Sequence, residues 1–294
     1  MNDQQKISLP DIGTLFRESW ALYRGRFPRL IGTTFVPLLT SFMGGLFIAF
    51  GTAALVGLGI ILIIAGIVLS LISYIAVIYI FKDNLSIGRA YRVASQRFFP
   101  YFWIIILSSL ITLGGFILTV IPGIIFSVWF TLAPFILVVE DKRGLEAVLK
   151  SKEYIQGHWW AVLGRIIVLT IVLLAVSFAL LLPASLIGKE VADIVNVVLQ
   201  IILLPFAFGF GYVLYKQFAA LKPGLVTAPL ATKKGFFIFS AVLGLLAPAI
   251  IIAIAGLAFV LNIFKLGSQL ELDQNSNLPP ADSFEQLDNS QDNL

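Results

Sequence analysis

The chain has no cysteine and a single histidine, His158, among its 294 residues. Without cysteine there are no disulfides, no thiolate metal sites and no Cys-linked lipids. One histidine builds neither a multi-histidine metal site nor a histidine relay, so no metal or cofactor is expected. Charge is scarce as well, at 12% of residues, about half the share of a soluble domain. Leu30 to Phe81 contains no Asp, Glu, Lys, Arg or His. Also missing are a phosphate-binding glycine loop, a nucleophile elbow and carboxylates paired within reach of one another. An enzyme is not expected.

What the chain has in excess is apolar: 59% of residues are hydrophobic. A soluble core has no use for so much, whereas lipid is a solvent that demands it on the outside. A helix crosses a bilayer in ~20 residues, so the uncharged stretch must cross twice. The expected fold class is all-α, a polytopic helical membrane protein. Spans are placed at Leu30 to Phe50, Ala54 to Phe81, Phe102 to Val120, Gly123 to Val139, Ile166 to Leu182, Ile194 to Tyr215 and Phe236 to Phe264. Ile121-Pro122-Gly123 reads as the turn between the third and fourth, and Pro183 as the end of the fifth. Pro248 leaves a kinked or re-entrant seventh segment open, with crossing favoured.

Eighteen of the twenty Lys and Arg residues fall into four blocks, Lys6 to Arg29, Lys82 to Arg97, Lys142 to Arg165 and Lys216 to Lys234. Each abuts an apolar span, the pattern of flanks facing an anionic leaflet. That distribution makes membrane lipids, the anionic ones above all, the expected partners of the net charge of +4, with no nucleic acid. It also places the chain in the cytoplasmic (inner) cell membrane, with a cytoplasmic N-terminus and outer turns near Gly51, Pro122 and Lys189. Met1 to Arg29 has no apolar stretch of the kind a cleavable signal needs.

The basic blocks carry helical periodicity too. Ile12, Leu15, Phe16, Ser19, Leu22 and Tyr23 share one face, with Arg17, Glu18 and Arg24 off it, and Ser8-x-x-Asp11 fits a capping box. Ile87, Ala90, Tyr91, Ala94 and Phe98 repeat the spacing against Arg89, Arg92 and Gln96. Leu145, Val148, Leu149 and Ile155 do so against Glu146, Lys150, Glu153 and Gln156. These read as helices lying in the interface plane. At an offset of 132, Ser19 matches Ser151, Gly25 Gly157, Phe27 Trp159 and Gly32 Gly164. The expected organisation is therefore three repeated units, each an amphipathic interfacial helix plus a transmembrane hairpin. Residues 1–29 form the cytoplasmic N-terminal segment and 30–222 the six-span core, with interfacial helices near 86–99 and 144–157. Residues 223–265 supply a basic loop and the seventh span, and 266–294 a disordered acidic tail.

The run from Ile121-Pro122-Gly123 through Trp129 and Pro134 to Glu140, continued by Gly144, Leu145, Ala147, Ser151 and Gly157-His158-Trp159, resembles a bacterial and archaeal family of integral membrane proteins. It is the membrane-domain-like family of some glycerophosphoryl diester phosphodiesterases, also found as a free-standing module. Leu15-Phe-Arg-Glu-Ser-Trp20 and Leu214-Tyr215 fit its opening and close, so the resemblance covers about Ile12 to Leu221. It implies a membrane-embedded module without the hydrolase, whose barrel alone needs ~250 residues.

Candidate functional residues are few. Arg89, Arg92, Arg97, Arg143 and Arg165 are candidate lipid or phosphate contacts. For Arg165, snorkelling to the headgroups is the favoured reading and a phosphate contact the sharper one. Glu140-Asp141-Lys142-Arg143 reads as a solvated turn. Asn196 and Gln200, four apart, form a candidate intramembrane polar face. No acid falls in mid-span, which disfavours ion-coupled transport. The expected function is a non-catalytic membrane protein that organises lipid or a partner protein at the cytoplasmic face. The alternative is a permease or lipid translocator built on spans broken by Pro37, Pro134, Pro205 and Pro248.

Overall fold

The computed structural model describes residues 10–225 and 234–276, with 234, 264 and 266–276 as backbone alone. These residues form α1 (Ile12–Ala49), α2 (Ala53–Asp83), α3 (Ile87–Gln96), α4 (Phe98–Leu118), α5 (Val120–Trp129), α6 (Ala133–Glu140), α7 (Gly144–Ile155), α8 (Trp159–Ile187), α9 (Lys189–Leu221) and α10 (Lys234–Ser276). No strand occurs among the described residues. Seven stretches are long and apolar enough to cross a membrane, α5 and α6 together making one. The protein is an all-α, multi-pass membrane protein.

The chain falls into two compact units, Met1–Gly244 and Leu245–Leu294. The second contains the rest of α10, which stays helical through Pro248. The helix ends at Ser276, within the stretch expected to be a disordered tail, so that expectation fails for its first part. Residues 277–294 and the basic loop residues 226–233 lie outside the described residues.

The first amphipathic segment is not a separate interfacial helix. Asp11 caps α1, accepting from the Gly13 amide at 3.0 Å, while Ser8 lies outside the described residues. Leu15, Ser19 and Tyr23 are buried and Arg17, Glu18 and Arg24 exposed, as the spacing predicts. The helix then runs through Gly25 and Pro28 into the first span. At the matching point of the third unit, Gly157 takes φ +89° and separates α7 from α8. A glycine permits that conformation but does not impose it, so equal sequence marks yield unequal backbones.

The α4–α5 turn is at Thr119, in extended backbone, rather than at Pro122-Gly123. Pro122 lies in the first turn of α5, where its missing N–H has no helical acceptor. Gly123 lets the hairpin close, since a Cβ there would overlap the Phe116 ring. The fourth span is also broken, between Trp129 and Ala133, just ahead of Pro134. Ser151 of α7 bridges the break, donating to the Trp129 carbonyl at 2.6 Å and accepting from the Leu132 amide at 3.1 Å. Pro183, expected to end the fifth span, is inside α8, which continues to Ile187.

The α7 helix packs on α4, α5, α6 and α9, and no residue from Leu145 to Ile155 is exposed. Its expected polar face, Glu146, Lys150, Glu153 and Gln156, is therefore largely covered, with only Gln156 and part of Glu146 open. Neighbouring helices supply partners for its polar side chains, which periodicity along one helix cannot reveal. Burial is uneven along the bundle. Ile75–Phe81 of α2 and Phe206 to Phe218 of α9 belong to the core. Earlier in those helices only Gly59, Gly66 and Ser73, or Leu199 and Pro205, are buried. The core lies toward the basic blocks; farther along α1 and α2 remain in close contact through Gly44 and Gly59, but most apolar side chains there are left for lipid.

Candidate functional site

The basic blocks converge on one end of the first unit. Arg29 of α1 donates to the Asn84 carbonyl (2.9 Å) and side chain (2.5 Å) beyond α2, where Asn84 ends the helix at φ 52°. Lys82 donates to the Val138 carbonyl of α6 at 3.2 Å. Arg97 pairs with Asp141. Lys222, after α9, donates to the carbonyls of Glu153 (2.7 Å), Tyr154 (2.8 Å) and Gln156 (2.9 Å), closing the C-terminus of α7.

Glu140 is the hub of this end. One carboxylate oxygen accepts from the hydroxyls of Tyr154 (2.9 Å) and Tyr215 (2.8 Å); the other meets Lys150 at 2.5 Å. The side chains of Lys150 and Glu140 are only 11% and 17% exposed. The tetrapeptide read as a solvated turn thus splits, with Glu140 inside and Asp141 and Arg143 outside. Burial, then the hydrogen bond to Glu140 and its charge, hold the Tyr154 phenol above its ordinary pKa.

A second constellation lies within the spans. A proline has no N–H, so the carbonyl four residues earlier loses its helical donor. Pro37 frees the Thr33 carbonyl, which accepts from Ser73 of α2 at 3.1 Å and Tyr91 of α3 at 2.7 Å. Pro205 frees the Ile201 carbonyl, which lies 3.4 Å from the Thr34 hydroxyl of α1, in competition with the Leu30 (3.2 Å) and Ile31 (3.1 Å) carbonyls. Neither proline breaks its helix, although a break was expected at both: α1 and α9 run on through Pro37 and Pro205. Both freed carbonyls lie beside a cavity of about 440 Å³ between α1, α2 and α9, a ligand-sized volume. Its polar lining is Thr34, Ser41, Ser70, Ser73, Tyr74 and Gln200, and no Asp, Glu, Lys, Arg or His lines it.

The five candidate arginines do not form one site. Arg97 and Arg143 both reach Asp141. Arg165 donates to the carbonyls of Ala161 (3.0 Å) and Pro10 (2.6 Å), tying the chain start to α8 rather than snorkelling. Arg89 and Arg92 are exposed on α3. Gln200 donates to Asn196 at 3.3 Å, and of the two only Gln200 lines the cavity. Sequence reasoning missed Thr34, Ser41, Ser70, Ser73 and Tyr74. The available signal was a hydroxyl-bearing residue near a proline's orphaned carbonyl, but its helix partner is invisible in one dimension.

No family model matches the chain, and no solved structure matches it.

Proposed function

We propose that this protein is a non-catalytic membrane module that engages anionic lipid through its basic end, at the cytoplasmic face of the cell membrane. One observation carries the reading. The α3 helix buries Ala90 and Ala94 while exposing Arg89 and Arg92, and it leads into exposed Phe99 and Trp103. Exposed arginines beside interfacial aromatics suit a headgroup layer. The resemblance to the phosphodiesterase membrane domain supports a module of this kind, and a membrane protein partner would dock on the same face. The test is lipid retained by full-length protein after gentle solubilisation from vesicles of mixed charge. Arg89→Gln with Arg92→Gln should cut anionic-lipid enrichment severalfold, at ~1 kcal/mol per charge, and salt should mimic the effect. Unchanged enrichment overturns the reading.

A second reading, a lipid or small-molecule translocator, is favoured by the cavity beside the carbonyls that Pro37 and Pro205 free in α1 and α9. Saturable flux by the pure protein in proteoliposomes, abolished by Gln200→Leu, would support it over the first.

A further inference from the structure

The α1–α2–α9 cavity differs from the basic end in kind, because its polar groups are all uncharged. Three of them are left to serve a ligand. The Ser41 and Tyr74 hydroxyls have no hydrogen-bond partner among the described residues, while Ser70 and Ser73 are occupied by the carbonyls of Gly66 and Thr33. Gln200 spends one N–H on Asn196, leaving its carboxamide oxygen. Polar groups facing hydrocarbon without partners are costly, so a matching occupant gains by satisfying them. A charged occupant does not fit, since its charge would be desolvated with no counter-charge in the lining. Leu38, Phe42, Val197 and Leu204 complete the wall with apolar surface.

We propose that this cavity binds a neutral ester-bearing alcohol of the bilayer, the diacylglycerol class, entering sideways from the membrane. Its ester carbonyls accept from Ser41 and Tyr74, its free hydroxyl donates to Gln200, and its chains lie along the apolar wall. Pro37 builds one side of the site by freeing the Thr33 carbonyl for Ser73 and Tyr91, which ties α1 to α2 and α3, and Pro205 leaves the Ile201 carbonyl of α9 within 3.4 Å of Thr34. The site is independent of the arginines on α3.

The experiment uses full-length protein in phosphatidylcholine vesicles with a dioleoylglycerol analogue bearing a photoactivatable group in one chain. A phosphatidate with the same chains is the comparator. Expected is saturable labelling of α1, α2 and α9 by the diacylglycerol, displaced by unlabelled dioleoylglycerol and not by phosphatidate. Tyr74→Phe, which keeps the ring on Phe208 at 5.3 Å, and Gln200→Leu should each weaken binding about fivefold, the loss of one hydrogen bond. Thermal unfolding should be unchanged in both. Equal labelling by phosphatidate, or undiminished binding in Tyr74→Phe, overturns the proposal. Retention of anionic lipid by the same samples reports separately on the basic end.

Discussion

The hydroxyl of Thr34 in α1 lies 3.4 Å from the Ile201 carbonyl of α9, the group that Pro205 deprives of its helical donor. It shares its one proton with the Leu30 and Ile31 carbonyls of its own helix, at 3.2 and 3.1 Å. The α1 helix thus offers a donor to a carbonyl freed in α9, while its own carbonyl freed by Pro37 is served from α2 and α3.

This arrangement predicts a coupling. Thr34→Val should destabilise the protein by at most ~0.6 kcal/mol, the usual worth of an interhelical hydrogen bond in a membrane. In a Pro205→Ala background, where the Ile201 carbonyl regains its own donor, the same change should cost close to nothing. Unfolding of the four proteins in a double-mutant cycle measures the difference.

Glu140 should be the most sensitive position at the basic end. Removing its carboxylate leaves Lys150 almost enclosed without a counter-charge, which costs ~3 kcal/mol. Tyr154→Phe and Tyr215→Phe should each cost ~1 kcal/mol, a single hydrogen bond. Denaturant midpoints of the three variants should follow that order.

Alkali should loosen the same cluster. The Tyr154 phenol titrates above its ordinary value of 10.0 in the fold, so the folded state holds the proton more tightly than the unfolded chain. The resulting stabilisation is complete below pH 10.0 and is lost as pH rises above it. Stability measured through that range should fall less steeply in Tyr154→Phe.

Lys222 should govern the order of the α7 C-terminus. Replacing it by Met strands three carbonyls, so amides from Tyr154 to His158 should exchange faster and unfolding should cost ~1–2 kcal/mol less. An unchanged exchange pattern would mean that packing alone holds the segment.

Orientation is open to a direct measurement, because the chain has no native cysteine. Single cysteines at Thr52 and Lys189 should react with an impermeant reagent from outside intact cells. Those at Arg92 and Glu146 should not.

Absence of charge over spans of fixed length was enough to define the class, since hydrocarbon excludes unpaired ions whatever the fold. The face of α1 through Leu15, Ser19 and Tyr23 was legible for a similar reason, its burial following from spacing along one helix. Gln200 was singled out because a carboxamide in a span needs a partner. What the tertiary structure alone decided is which polar group meets which. Glu140, Tyr154 and Tyr215 are up to 75 residues apart, and Thr34 and Ile201 are 167 apart. Whether α7 lies on the surface or inside the bundle depends on neighbours that complete its polar side chains, and those neighbours come from distant parts of the chain. Local periodicity fixes the direction in which a side chain points along its helix; only packing between helices determines whether water, lipid or a buried carboxylate waits there.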